Sequence, residues 1–191
     1  MMDAKEGPWE GLQIMEIFRQ RQSTRAYSSA PVEEEKIMRC LEAARIAPSA
    51  CNAQPWKFII VDDEELKNKL ADLTSNKVLP LNHFTRQAPV FIVLVMEAPN
   101  FTSGMGELIR DKKFTLMDVG IAAEHFCLQA TAEGLGTCML GWFKEKQVKN
   151  LLQIPQKKRA MLIITLGYPK TGMIREKNRK PLTKIFTKNG Y

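Results

Sequence analysis

Apolar positions along the chain alternate between helical and strand-like spacing, and the changes of spacing mark out its elements. From Leu12 to Arg21, Ile14, Met15, Ile17 and Phe18 form a helical stripe. Pro31-Val32-Glu33-Glu34-Glu35 opens a second helix, with acids in the first turn where the helix dipole favours them. Ile37, Cys40, Leu41 and Ala44 then recur at helical spacing until Pro48 stops the run. Trp56 to Val61 reads as a buried strand closed by Asp62-Asp63, and Leu66, Leu70 and Leu73 mark a third helix. Thr74 to Gln87 is polar and aperiodic and reads as a surface connection. Val90 to Met96 is an unbroken β-branched and aromatic run, the signature of a central strand covered on both faces. Ala98 to Lys113, with Pro99, Gly104 and Gly106, has no pattern; a connection of that length suits a lid or binding element.

The stretch from about Phe114 to Glu133 is the longest and least polar helix. Gly120, Ala122 and Ala123 would let another backbone approach it, so it is either the core helix or a dimer helix. Gly134 and Gly136 suit its carboxyl end. Thr137 to Leu140 reads as a short strand, Glu145 to Gln153 as a helix, and Ala160 to Leu166 as another buried strand. Four strands set among helices predict a small mixed sheet covered on both faces, with the strand order left open. After Gly167-Tyr168-Pro169 the chain turns polar, and from Lys170 to Tyr191 seven basic residues stand against one acid, Glu176. Ile185, Phe186 and Tyr191 are too few to pack by themselves, so this tail is expected to lie as an arm on something else, such as a partner subunit.

Composition narrows the picture. With 191 residues and 45% hydrophobic content the chain can bury one core, and a single domain follows. A net charge of +7 and a pI near 9.3 suit nucleic acid, an acidic surface or an anionic cofactor without choosing among them. Cys40, Cys51, Cys127 and Cys138 form no Cys-x-x-Cys pair and no zinc-like grouping with His83 or His125, which suggests reduced thiols in a cytoplasmic protein without a metal. The first ten residues do not read as a signal peptide, and the longest apolar run falls far short of the roughly 20 residues that span a bilayer.

The chemistry concentrates in two stretches. Arg21-Gln22-Ser23-Thr24-Arg25 places two guanidiniums four apart with a hydroxyl between, which is either a phosphate clamp or a solvated basic helix end. Pro48-Ser49-Ala50-Cys51-Asn52-Ala53-Gln54-Pro55 is a turn rich in hydrogen-bonding groups. Gly134-Leu135-Gly136 and Gly104-Met105-Gly106 stand in the wrong contexts for a Rossmann fingerprint, and there is no Walker loop, Gly-x-Ser-x-Gly elbow or His-Glu-x-x-His. His125 could join Ser49 in a triad, but its apolar surroundings suit a hydrogen-bonded core histidine better. Cys51 is a redox thiol or, more simply, a small turn residue. An enzyme built on this chain would borrow its reactive group from a cofactor.

The clamp, the Pro-Ser-x-x-Asn-x-Gln-Pro-Trp turn, Gly134-Leu135-Gly136-Thr137-Cys138-Met139-Leu140-Gly141-Trp142-Phe143 and Gly167-Tyr168-Pro169 together resemble the flavin-dependent nitroreductase family in order and spacing. The resemblance implies an α+β fold, a three-layer α/β/α sandwich around a mixed, mainly antiparallel sheet, in a homodimer with a swapped C-terminal arm. It divides the chain into an N-terminal extension (1–11), an FMN-binding domain (12–169) and a basic arm (170–191) that adds phosphate and dimer contacts. It implies FMN as cofactor, NADH or NADPH as co-substrate, and ping-pong hydride transfer to a nitroaromatic, quinone or similar small-molecule acceptor. By the same resemblance Arg21, Gln22, Ser23 and Arg25 hold the phosphate and ribityl chain, and Lys177 and Arg179 close over that phosphate. Pro48, Ser49, Ala50, Asn52 and Gln54 form the turn that the second subunit offers to the ring, with Ala50 standing where a serine is common. Leu140 and Gly141 supply a main-chain amide facing the reactive nitrogen, and Asn82 is a candidate for the ring's uracil edge. No acid or base side chain is required, because the flavin carries the chemistry, and no metal, membrane or nucleic-acid partner is expected.

Two alternatives remain open. One is a divergent family member that holds or cleaves flavin without nitroreductase turnover. The other is a basic nucleic-acid-binding module using Lys157-Lys158-Arg159 and the tail, although no aromatic platform accompanies those cations.

Overall fold

The computed structural model describes residues 11–75, 81–97 and 113–191. The helices are α1 (Gly11–Gln20), α2 (Glu34–Arg45), α3 (Glu64–Thr74), α4 (Phe114–Ala132) and α5 (Glu145–Leu151). The strands are β1 (Trp56–Val61), β2 (Val90–Met96), β3 (Gly136–Leu140) and β4 (Arg159–Gly167), with short 3-10 turns at Ala50–Asn52, His83–Gln87 and Leu182–Lys184. Residues 1–10 of the expected N-terminal extension and most of the expected Ala98–Lys113 binding loop lie outside the described residues.

The strand order is β1-β2-β4-β3, and all three pairings are antiparallel. Past α1 the chain adds a parallel bridge, Ser23 to Thr137, and an antiparallel one, Tyr27 to Pro169. The four-stranded sheet is therefore antiparallel, and the single parallel contact is the isolated bridge at its edge. The unbroken apolar run of β2 has a direct cause: the strand lies inside the sheet and alternate residues feed two cores. Phe91, Val93 and Val95 join Leu70, Val148 and Ile163 on the face covered by α3 and α5. Val90, Ile92 and Leu94 join Ile37, Cys40, Ala44, Val119 and Phe126 on the face covered by α2 and α4. Three layers result.

One expectation needs correction. Thr74 to Gln87 is not simply a surface connection: the Thr74 and Thr85 hydroxyls are fully buried and lie 3.0 Å apart, and Phe84 packs against the core. Polar composition misled here because the two hydroxyls satisfy one another and nearby carbonyls inside the fold. The stripe on α1 is helical as expected, yet Ile14, Met15 and Phe18 are exposed in the single chain.

The end of α4 is locked to α2. Arg39 donates two hydrogen bonds to Glu133, at 2.7 and 2.8 Å, and Lys36 donates to the Glu133 main-chain oxygen and to the Tyr168 hydroxyl. The Arg39 guanidinium pulls the Glu133 carboxyl down to about 2, assisted by Gln129 and opposed by desolvation. A carboxyl whose folded pKa is depressed adds stability above its unfolded value and loses it as pH falls through the folded one. Thermal melting followed between pH 6 and pH 2 should therefore show a loss below about pH 4.5 that is shallower in Glu133→Gln, with the variant already less stable near neutrality.

Candidate functional site

The Arg21–Arg25 segment is held in place by the sheet. Arg21 N–H still donates to Ile17 O at 2.8 Å, continuing the last turn of α1. The chain then straightens: Thr24 N–H donates to Thr137 O at 2.8 Å, Ser28 N–H to Tyr168 O at 2.9 Å, and Lys170 N–H to Ala26 O at 3.0 Å. Tyr27 is the anchor beneath. Its buried hydroxyl donates to Thr24 O at 3.0 Å and sits 2.7 Å from Thr165 Oγ1, and burial raises its pKa so that it stays neutral. Gly136 lets the segment lie this close to β3, since a Cβ there would stand 2.8 Å from Thr24 Cβ.

Arg21, Gln22, Ser23 and Arg25 share one cavity of about 320 Å³ with Arg175, Lys177 and Arg179 of the C-terminal segment. Five cations thus face one lining acid, Glu176. The sequence places these residues about 150 positions apart, and the fold brings six of the expected phosphate-site residues together. Arg21 Nη2 pairs with Glu124 Oε2 on α4 at 2.7 Å, while Arg21 Nε is buried with no hydrogen-bond partner among the described residues. A buried donor left unsatisfied costs about 1–3 kcal/mol, and more when charged. The five cations lining the cavity, three of them guanidiniums beyond Arg21, make a donor set that fits an anion such as a phosphate monoester.

The arm is seated on this site through Gln22. Its side-chain nitrogen donates to Met173 O at 3.0 Å, its oxygen accepts from Arg175 N and Nε at 3.2 Å each, and Arg175 Nη2 donates to Ser23 O. Lys177 donates to Phe18 O at 2.9 Å and to Arg19 O, capping α1 where the helix dipole favours a cation. Desolvation, then the neighbouring Arg179 and Arg21, hold the Lys177 ammonium below its ordinary pKa, against Glu16. The proximal arm therefore lies on its own chain, whereas Leu182, Ile185, Phe186 and Tyr191 beyond it are exposed. Arg175 and Glu124 were not singled out in the sequence, because neither belongs to a local motif.

The Pro48–Pro55 turn stands apart from this cavity. Ala50 N–H donates to both carboxylate oxygens of Asp118 on α4, at 3.1 and 3.2 Å, and Gln54 N–H donates to Ser49 Oγ at 3.0 Å. Gln54 Nε2 donates to Asn52 Oδ1 at 3.1 Å. Asp118 and Glu124 are six residues apart, so on an ideal helix they point about 120° apart and are separated by about 9 Å along the axis. Clamp and turn therefore grip different sides of α4. Leu140 ends β3 and Gly141 follows it, about 13 Å along the chain direction from Thr137. Asn82 serves its own neighbourhood, since its side chain donates to Thr74 O at 3.1 Å and its left-handed backbone starts the His83–Gln87 turn.

The remaining candidates are quiet. His125 is half-buried rather than in the core, and its Nδ1 lies 3.3 Å from Ala43 O. Burial pushes the Cys40 and Cys127 thiols up to about 12 and raises Cys138 as well, so these three are poor nucleophiles. Among the described residues no His, Cys, Asp or Glu grouping could hold a metal, and no helix is long and apolar enough to cross a membrane.

The Nitroreductase family model matches residues 18–81 and 75–168, two stretches that include the clamp, the turn, α4 and the sheet. This chain belongs to the nitroreductase family. A solved nitroreductase family protein from Clostridium novyi is 30% identical, with a TM-score of 0.71 over 82% of this chain and 86% of the other. A Thermus thermophilus protein named NADH dehydrogenase is 26% identical over 175 residues, covering 78% of this chain and 83% of its own length. The NADPH:FMN oxidoreductase of Vibrio harveyi, at 23% identity, shares the fold with a TM-score of 0.77 over 93% of this chain and 77% of its own. Within this family member, Gly136 and Gly141 should behave oppositely. Gly136→Ala forces Thr24 aside and should lower stability by about 1–3 kcal/mol, whereas Gly141→Ala, with nothing within 4 Å of the added carbon, should melt like the parent in the ligand-free protein.

Proposed function

We propose that this nitroreductase-family chain is an FMN-dependent NAD(P)H oxidoreductase working as a homodimer. The observation that carries the reading is the convergence of Arg21, Ser23, Arg25, Lys177 and Arg179 on one cavity, with Arg21 Nε beside it unpaired among the described residues. These residues hold the cofactor's phosphate and the adjoining ribityl hydroxyls, and Gln22 keeps the arm over them. Pro48, Ser49, Ala50, Asn52 and Gln54 belong to the turn that a second copy presents to the ring, and Leu140 and Gly141 flank the ring with main chain. Asn82 is left out of this set because its amide serves the end of α3.

Bound FMN supplies the two-electron chemistry, accepting a hydride from NADH or NADPH and reducing a nitroaromatic, quinone or similar acceptor in a ping-pong cycle. The protein itself binds and orients, with no side chain acting as an obligatory acid or base. A dimer is supported by apolar side chains that a monomer leaves in water: Ile14, Met15 and Phe18 on α1, Leu116, Met117 and Ile121 on α4, and Ile185 and Phe186 on the arm. The nucleic-acid alternative gains nothing, since Lys158 pairs with Glu97 and Arg159 with Glu145. Reduced thiols favour the cytoplasm.

The purified protein should be yellow, and NADH or NADPH should bleach its flavin in stopped flow until a nitroaromatic restores the colour. A bound flavin that stays oxidised under both nucleotides contradicts the oxidoreductase reading. Replacing Arg21 and Arg25 by alanine removes two charge-assisted contacts worth about 1.5–3 kcal/mol each, so the double variant should purify folded and colourless. Full flavin occupancy in that variant would overturn the clamp.

A further inference from the structure

We infer that Asp118 is a positioning residue for the cofactor ring: it anchors the Pro48–Pro55 turn and holds a negative charge behind it. This rests on the flavin reading above and adds to it an assignment for a residue on α4 outside both stretches that carry the site.

Four observations support the role. Asp118 is 5% exposed although it is a carboxylate, and no ion pair reaches it among the described residues. Such a charge is retained in a fold only where something requires it, because desolvation opposes it. Its two oxygens take the N–H of Ala50 at 3.1 and 3.2 Å, the bond that ties the turn to the helix. The turn needs tying: Cys51, Asn52 and Gln54 all adopt left-handed backbone, at φ of 52°, 50° and 47°, without a glycine among them. Residues held in such conformations persist only when their surroundings over-determine them, and they gather at functional sites. Gln54 N–H to Ser49 Oγ, Asn52 N–H to Ser49 O and Gln54 Nε2 to Asn52 close the turn on itself, and Glu97 N–H to Pro55 O at 3.0 Å ties its far end to the sheet, which leaves Asp118 as the tie between the turn and α4.

Two chemical consequences follow. Ala50 brings no hydroxyl and its N–H is already engaged, so position 50 offers the ring no hydrogen-bond donor. Donors must then come from Ser49, Asn52 and main chain elsewhere. The carboxylate also stands one hydrogen bond behind the turn, where it disfavours any added negative charge in front of it. Two-electron reduction gives the flavin such a charge, so Asp118 holds the bound cofactor at a lower potential and makes it a stronger reductant toward its acceptor.

Asp118→Asn keeps the shape and one acceptor for Ala50 N–H while removing the charge. After reconstitution with FMN, its affinity and melting temperature should match the parent, while its midpoint potential rises. A tenfold change in the reduced-to-oxidised ratio at fixed potential corresponds to about 30 mV for this couple. Asp118→Ala removes the anchor as well and should weaken FMN binding tenfold or more in titrations of the ligand-free protein. An unchanged potential in Asp118→Asn overturns the charge role, and parental FMN affinity in a folded Asp118→Ala overturns the anchoring role. If the parent protein itself takes up no FMN, the flavin reading and this inference fall together. If it does and both variants match it, the inference alone fails.

Discussion

The gathering of five cations around one cavity is the constraint around which this molecule is built. Arg21 has one arm engaged by Glu124 and its Nε left without a partner among the described residues, an arrangement that suits a site made for an anion. Each neighbour contributes to keeping the site in that state. The last turn of α1 delivers Arg21, a backbone bridge to β3 holds Ser23 and Thr24, and Tyr27 nails the segment to β4 from below. The arm then lays Lys177 and Arg179 over the open side, with Gln22 and Arg175 fastening it. The five long side chains around the cavity are thereby ordered before any anion arrives, which would lower the cost of binding one.

Helix α4 connects this clamp to the rest of the site. Glu124 holds Arg21 on one side and Asp118 holds the Pro48–Pro55 turn on another, and the helix is seated on the sheet through Val119, Ala123, Phe126 and Ala130. Buried on the sheet, it leaves Leu116, Met117 and Ile121 outward. Clamp and turn are thus near in sequence and divergent in space, which suits a dimer in which each chain completes its partner's site. Of the two sequence alternatives, the core helix is what the packing shows, and the outward apolar face is what the proposed dimer would cover.

Most of the fold was legible because it rests on local pattern. The apolar run of β2, the stop at Pro48 and the glycines after α4 each act within a few residues and read directly. The candidate site was half legible: Arg21, Ser23, Arg25, Lys177 and Arg179 are recognisable as two motifs, and the fold places them around one cavity. What stayed hidden depends on pairs far apart in the chain. Glu124 meets Arg21 across 103 positions, Asp118 meets Ala50 across 68, and Arg175 meets Ser23 across 152. None of these partners carries a periodic or motif signal of its own. Thr74 and Thr85 differ, lying only 11 positions apart: two hydroxyls that satisfy each other in a core look like surface in a sequence.

The most direct test compares two ligands that differ only at the group the clamp is built for. Titrating the ligand-free protein with FMN and with riboflavin, followed by quenching of flavin fluorescence, isolates the phosphate. If Arg21 and Arg25 each make a charge-assisted contact to it, FMN should bind tighter by about 3–6 kcal/mol, a factor of about 10²–10⁴. Equal affinity for the two flavins would contradict the phosphate clamp and the reading of function built on it.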